Sequence, residues 1–479
     1  MKLKKRYFIP LAVLICGILA FKIWSYKPVN FTGIGANGNA FECERGYLDV
    51  SEVRNDPNAN IIEIEYVRIR SKSKNPKTPI FYLSGGPGQG ATEQASDPGY
   101  LYYWSSFLEE RDVVLIDQRG IGKLKMWYAQ LKWPHEDLFV SYDGAIDHMN
   151  TMVEKSIKAF KRRGINLNGY NSIESAHDVD AVREELGYAK IIPMGFSYGT
   201  HLGLSYLKYH EDKVERAILI GVEDLDETFK MPLDLDNQFD KLNALIQKDS
   251  LLAQSIPDLK DLYKSVVNKL EQQPVTVEIN TPVKLKRKVK VGKFGLDFIL
   301  KRDMGDTKDI PILPKMLYQI NNEDYSIFTR YVEKRYKRFL AIPGMNLSMD
   351  ICSGGDQKRI AEIHKQEEES LFGKINNFPY LDLHGTWPVK DLGEAFRAPV
   401  NSDVPVLLLT GDLDINTPSY QAANVAKHLS SSTHLEVKNA GHEQIMYFWD
   451  AMKTMIDFMN GRDVSEVDLE LRPVRFQTI

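Results

Sequence analysis

Gly195-Phe196-Ser197-Tyr198-Gly199 lies between an apolar run with strand character, Ile191 to Met194, and a run with helical character, Thr200 to Tyr209. A serine between two glycines at a strand-to-helix turn is the feature that most constrains this chain, because such a turn lifts a hydroxyl clear of a sheet edge, where it can act as a nucleophile. Five-residue patterns of this kind arise by chance, so the surroundings decide. Ser172 to Leu186 carries apolar residues at helical spacing (Ile173, Ala176, Val179, Val182, Leu186) and stops at Gly187. The local order is helix, strand, turn, helix.

A hydroxyl nucleophile needs a base, and the base needs a carboxylate to orient it. Val404 to Gly411 reads as a buried strand that delivers Asp412-Leu413-Asp414, then Asn416-Thr417-Pro418, into a turn. A further strand, His434 to Val437, runs into Asn439-Ala440-Gly441-His442. The order Ser, Asp, His, each at the C-terminal end of a predicted strand, is that of an α/β-hydrolase fold, a mostly parallel sheet with helices on both faces. The chymotrypsin and subtilisin orders are excluded. Asp414 is the chosen orienting acid because it lies further past the strand end, where a turn can aim it at a histidine. Asp412 is expected to form the turn by bonding its own backbone. His442 is chosen among ten histidines because Gly441 sets it at a strand end.

Acyl transfer also needs two N–H donors for the oxyanion. One is expected from Tyr198, the residue after the nucleophile, and the other from a glycine-rich loop after an early strand. Pro79 to Leu83 is that strand, and Ser84-Gly85-Gly86-Pro87-Gly88-Gln89-Gly90 is that loop. A phosphate loop is excluded because no Lys-Ser or Lys-Thr pair follows the glycines.

The runs YLSGGPGQG, DQRGIG, GFSYGT, GDLDINTP and NAGH, taken in order, resemble the signature segments of the proline iminopeptidase and tripeptidyl aminopeptidase family of serine peptidases, within the α/β-hydrolase superfamily. The resemblance runs from about Cys43 to about Phe448. It implies Ser197 as nucleophile, Asp414 and His442 as its partners, and Gly86 with Tyr198 as oxyanion donors. Two positions depart from it: Ser84 stands where many relatives have histidine, and Lys123-Leu124 where many have serine.

With 479 residues and 43% apolar content, the chain can bury a large core. A net charge of −4 gives no electrostatic case for nucleic acid as a partner. Lys2, Lys4, Lys5 and Arg6 precede an apolar stretch from Tyr7 to Phe21, so residues 1–24 read as an export signal or membrane anchor that places the rest outside the cytoplasm. Cleavage is left open, and bulky Ile15 disfavours a lipoprotein reading at Cys16. Residues 25–40, rich in glycine and asparagine, read as a linker. Cys43 and Cys352 are left as either one disulfide or two free buried thiols.

Residues 41–222 and 401–479 are then the two parts of the hydrolase core, and 223–400 a large, mainly helical cap inserted before the strand that carries Asp414. The cap's one predicted hairpin pairs Val275 to Ile279 with Val283 to Val291. Its lysines alternate with Val and Leu, which favours a solvated strand face over a polyanion site. An aminopeptidase must hold a free α-amine, for which Glu223, Asp224 and Asp356 are the candidate carboxylates. The expected activity is release of N-terminal residues or short peptides from a peptide substrate, through an acyl-enzyme, with no metal or organic cofactor. The alternatives are a carboxylesterase or lipase-like hydrolase, and, in another class, a non-catalytic membrane-tethered scaffold. Retention of all three triad residues argues against the scaffold.

Overall fold

The computed structural model describes residues 28–121, 126–129 and 132–479. The predicted export segment and the Lys123-Leu124 departure lie outside them. Among the described residues no helix is long and apolar enough to cross a membrane.

Strands β1 (Val29–Ile34), β2 (Ala40–Ser51), β3 (Ile61–Ile69), β4 (Lys77–Leu83) and β5 (Arg111–Ile116) are followed by a short β6 (Trp127–Ala129). Next come β7 (Ile192–Phe196) and β8 (Ala217–Ile220), then β9 (Val275–Asn280), β10 (Lys286–Val291) and β11 (Ala341–Pro343), and finally β12 (Val406–Gly411), β13 (Ser432–Lys438) and β14 (Leu469–Glu470). One ten-stranded sheet runs β1-β2-β3-β5-β4-β7-β8-β12-β13-β14. The pairs from β1 to β5 through β3 are antiparallel, and every pair from β5-β4 to β13-β14 is parallel.

The central strands β5, β7, β8 and β12 are buried at every residue. That is the pattern of parallel strands covered on both faces. Alternation then sorts their side chains into two cores. Phe81, Leu83, Val114, Leu219 and Leu408 face helices Ser172–Glu185 and Tyr198–His210, whereas Ile80, Tyr82, Val113, Ile218 and Leu407 face helices Pro98–Trp104 and Trp449–Met459. Parallel strands joined by crossovers put the loops that follow their C-terminal ends along one edge of the sheet. The glycine-rich loop, the serine turn, the Asp414 turn and the His442 loop therefore share one edge.

The segment expected as a linker, residues 25–40, contains β1 instead, paired antiparallel with β2 from Val29 opposite Arg45 to Ile34 opposite Ala40. A Cβ at Gly33 would meet Leu101 Cδ1 at 2.7 Å and the Ala95 carbonyl oxygen at 2.8 Å. Glycine there permits close packing, which composition alone reads as flexibility.

Between β8 and β12 lie helices Leu233–Ile246, Leu259–Gln272, Lys293–Asp303, Leu313–Asn321, Ser326–Tyr336, Gly344–Ser353 and Gln357–Glu369, with the predicted hairpin formed by β9 and β10. Lys286 of that hairpin pairs with Glu278, and Lys290 with Asp137. Cys43 and Cys352 are both buried and unpaired. Burial pushes their thiols up to about 11 and about 12.

Candidate active site

Ser197 caps helix Tyr198–His210 with φ 57° and ψ −127°, a left-handed conformation that costs a non-glycine residue about 1–3 kcal/mol. The flanking glycines make it possible. A Cβ at Gly195 would overlap the Gly199 carbonyl, and one at Gly199 would overlap the Leu83 carbonyl, so strand, turn and helix meet closer than any side chain allows. The Ser197 N–H donates to the Ile220 carbonyl at 2.9 Å, which ties the turn to the end of β8. The Ser197 hydroxyl makes no hydrogen bond to a protein group among the described residues.

His442 lies beside it. Its ring packs on Phe196 with centroids 5.0 Å apart, and its Cε1 is 3.0 Å from where a Gly221 Cβ would stand. Its Nδ1 is 2.7 Å from Asp414 Oδ2. Asp414 is itself held by three donors: the N–H of Asn416 (2.8 Å) and of Thr417 (3.1 Å) to Oδ1, and the Thr417 hydroxyl (2.7 Å) to Oδ2. The Thr417 oxygen is also 3.2 Å from His442 Nδ1. An ionised Asp414 thus fixes the proton on Nδ1 and leaves the Nε2 lone pair as a base. Both side chains are buried, so these contacts work in a low dielectric.

Asp412 does not bond its own backbone as expected. Its Oδ1 accepts from the Ala440 N–H at 3.1 Å, so it braces the loop that presents His442. The His442 N–H donates in turn to the Gly305 carbonyl at 2.8 Å, which joins that loop to the inserted region.

The DQRGIG segment is a scaffold for the glycine-rich loop. Asp117 Oδ1 accepts the N–H of Ala91 (2.6 Å) and Thr92 (2.9 Å). Gln118 donates to the Ser84 carbonyl at 2.7 Å and accepts from the Gly88 N–H at 3.2 Å, bridging the loop across Gly86. Arg119 is buried and pairs with Asp178 through two nitrogens at 2.7 and 2.8 Å. Gly86 has φ 118°, a value that favours glycine, and the first N–H groups of helix Tyr198–His210 have no partner within the helix. Ser84 donates its hydroxyl to the Gln89 carbonyl at 2.6 Å and closes the loop on itself.

Of the three candidate amine-binding acids, the structure brings one to the site. Glu223 is buried next to helix Tyr198–His210, with its N–H on the Thr200 hydroxyl, and it binds Lys230 at 2.6 Å. Asp224 bonds the Leu225 N–H and its charge faces His428, Arg359 and Lys208. Asp356 accepts from the Arg359 N–H at 2.6 Å as the N-cap of helix Gln357–Glu369. Both side chains are engaged in local structural contacts.

Asp350, which the sequence reading did not single out, is a further acid, on helix Gly344–Ser353. Its carboxylate has no hydrogen-bond or ion-pair partner among the described residues, and it acts electrostatically on Tyr198 together with Glu223. Burial first, and Glu223 second, push it well above the usual carboxylate range. The available signal was its place two residues before Cys352, in a stretch not read as a helix.

The sequence pattern of the alpha/beta hydrolase fold matches residues 78–448. The chain belongs to the α/β-hydrolase fold family. This hydrolase is similar to the proline iminopeptidase of Neisseria gonorrhoeae (26% identical, over 37% of this chain and 39% of that protein). It is also similar to the tripeptidyl aminopeptidase of Streptomyces lividans (27%, 30% and 28%) and to the serine protease Hip1 of Mycobacterium tuberculosis (28%, 29% and 28%). The matched segment spans well under half the length of each relative. Among solved structures, that of Rv0554 from Mycobacterium tuberculosis covers 87% of this chain and all of its own at 13% identity and a TM-score of 0.39. A thermophilic esterase from Thermogutta terrifontis covers 91% and 98% at 13% identity and a TM-score of 0.32. At that distance neither says anything about substrate.

Proposed function

We propose that this α/β-hydrolase is a serine aminopeptidase that releases N-terminal residues or short peptides through an acyl-enzyme. The observation that carries the reading is Asp414 holding His442 Nδ1 at 2.7 Å beside the strained turn of Ser197. Ser197 attacks the carbonyl as His442 Nε2 takes its proton. The N–H groups of Gly86 and Tyr198 receive the oxyanion, and His442 returns the proton to the leaving amine. Water activated by the same histidine then frees the acyl group. Asp350 and Glu223, beside Tyr198, supply negative charge for a substrate ammonium, and the relatives named as aminopeptidases support that choice over an ester substrate. Residues 223–400 serve in this reading as the cap, and residues 1–24 as the export segment or membrane tether.

The test is a panel of aminoacyl and tripeptidyl chromogenic amides, each with free and acetylated amine, run beside simple esters. The free-amine amides should exceed their acetylated forms in kcat/KM by about 10² or more, the scale of one buried charged pair. Equal turnover of free and blocked substrates, or turnover of esters alone, would move the enzyme to the esterase reading.

A further inference from the structure

Asp414 and His442 sit on the loops after β12 and β13, and the inserted region holds both loops. Helix Leu233–Ile246 supplies two donors. The buried Gln238 side-chain amide donates to the Leu413 carbonyl and to the Met304 carbonyl, each at 3.0 Å, and Lys241 donates to the Asp412 carbonyl at 2.6 Å. Asp412 and Leu413 directly precede Asp414. The turn 304–307, which follows helix Lys293–Asp303, reaches the other loop: the Gly305 carbonyl accepts the His442 N–H at 2.8 Å, the Thr307 N–H donates to Gln444 Oε1 at 3.2 Å, and Gln444 Nε2 donates to Asp306 Oδ1 at 3.0 Å. A Cβ at Gly305 would meet Ile415 Cγ1 at 2.7 Å, and a Cβ at Gly441 would stand 2.5 Å from the Gly305 carbonyl oxygen. The turn therefore packs directly on both loops.

The turn is fixed to the inserted region at both ends. Asp303, fully buried, binds Arg335 through Nε at 2.8 Å and through Nη2, and binds Lys334 at 2.7 Å. Asp309 accepts the Tyr331 hydroxyl at 2.7 Å and Lys334 at 2.9 Å. Both partners stand on helix Ser326–Tyr336. Gln238 is the link between this turn and the Asp414 loop, because its amide donates to a backbone carbonyl of each. Without that amide two buried carbonyls lose a donor, and nothing of equal strength sets the spacing of the two segments.

We propose that Gln238 and the turn 304–307 brace the Asp414–His442 pair, with Gln238 as a positioning residue that sets where Asp414 holds the histidine ring. The inserted region then takes part in assembling the triad. The proposal rests on the triad reading above. Gln238→Met keeps the length and bulk of the side chain and removes both donors, so it is the variant to make. Fluorophosphonate labelling of Ser197 should slow by about tenfold, the scale of one intramolecular hydrogen bond. In hydrolysis kcat should carry the loss while KM changes little. In proton NMR, the Nδ1–H resonance of His442, held downfield by its short bond to Asp414, should broaden or move upfield.

A role confined to packing within the inserted region would lower the thermal midpoint and raise KM but leave labelling and the resonance as in the wild type. Labelling within about twofold of wild type, or an unmoved resonance, therefore overturns the proposal. If Gln238→Met fails to fold, Gln444→Ala, at a partly exposed side chain that joins the same turn to the His442 loop, should slow labelling and move the resonance in the same direction, and wild-type behaviour overturns the proposal again. A wild type that takes no label at all would sink the triad reading instead. The resonance alone then decides the brace, since it is read without turnover: its shift in Gln238→Met supports the brace, and its constancy refutes it.

Discussion

Thr417→Val removes one hydroxyl from the centre of the site and changes little else, since Val and Thr have nearly the same shape and Thr417 is only 1% exposed. That hydroxyl donates to Asp414 Oδ2 at 2.7 Å and lies 3.2 Å from His442 Nδ1. Without it, Asp414 keeps the Asn416 and Thr417 N–H groups on Oδ1 but has only the histidine on Oδ2. A hydrogen bond to a charged group contributes about 1.5–3 kcal/mol. At about 1.4 kcal/mol per tenfold, kcat/KM should fall by about 10 to 100-fold. Because the loss falls on the orientation of the base, kcat should carry it and KM should change little. The assay is steady-state hydrolysis of a chromogenic peptide amide, with thermal unfolding as the check on folding. Thr417→Ser restores the oxygen and should recover most of the rate. A Thr417→Val enzyme within about twofold of wild type would refute the claim that this hydroxyl helps hold the Asp–His pair.

Asp414→Asn should cost about 10⁴ in kcat by favouring the wrong histidine tautomer, whereas Asp412→Asn, which can still accept from the Ala440 N–H through its amide oxygen, should stay within about tenfold of wild type. Kinetics of the two variants side by side distinguish them, and the reverse ranking would assign the orienting role to Asp412. Arg119→Met leaves Asp178 buried with only Arg54 as partner, so denaturant unfolding should show a loss of about 3 kcal/mol, the lower end for breaking a buried pair. Asp350 has a raised pKa, so it is neutral at pH values where an ordinary carboxylate is charged and gains its charge as pH rises. The ratio of kcat/KM for free-amine over acetylated substrate should therefore climb with pH until the substrate amine itself loses its proton, near 8 in reference peptides, and Asp350→Asn should flatten that climb.

The candidate site was legible in the sequence because each part of it sits on a pattern with a local cause. Buried parallel strands are unbroken apolar runs, and each ends in a turn rich in Gly, Asp or Asn, so β4, β7 and β12 and the residues just past them were legible. The β9–β10 hairpin followed from alternation in the same way. β1 was not legible, because Gly33 there serves close packing and a glycine-rich strand looks like a linker. Of the acids proposed for a substrate amine, Glu223 follows closely on the end of β8, whereas Asp356 is a helix cap and Asp350 can be singled out only from the fold. The Thr417 contacts are not visible in one dimension, since they depend on how the Asp414 turn packs against the His442 loop.

The central claim is that Ser197 is a nucleophile activated by His442 and Asp414. A fluorophosphonate probe forms a stable bond to such a serine, and mass spectrometry of the digested protein locates it. A single adduct is expected on Ser197 in the wild type, none in Ser197→Ala, and labelling slowed by orders of magnitude in His442→Ala. No adduct on the folded wild-type protein, or an adduct on another serine that persists in Ser197→Ala, would contradict it.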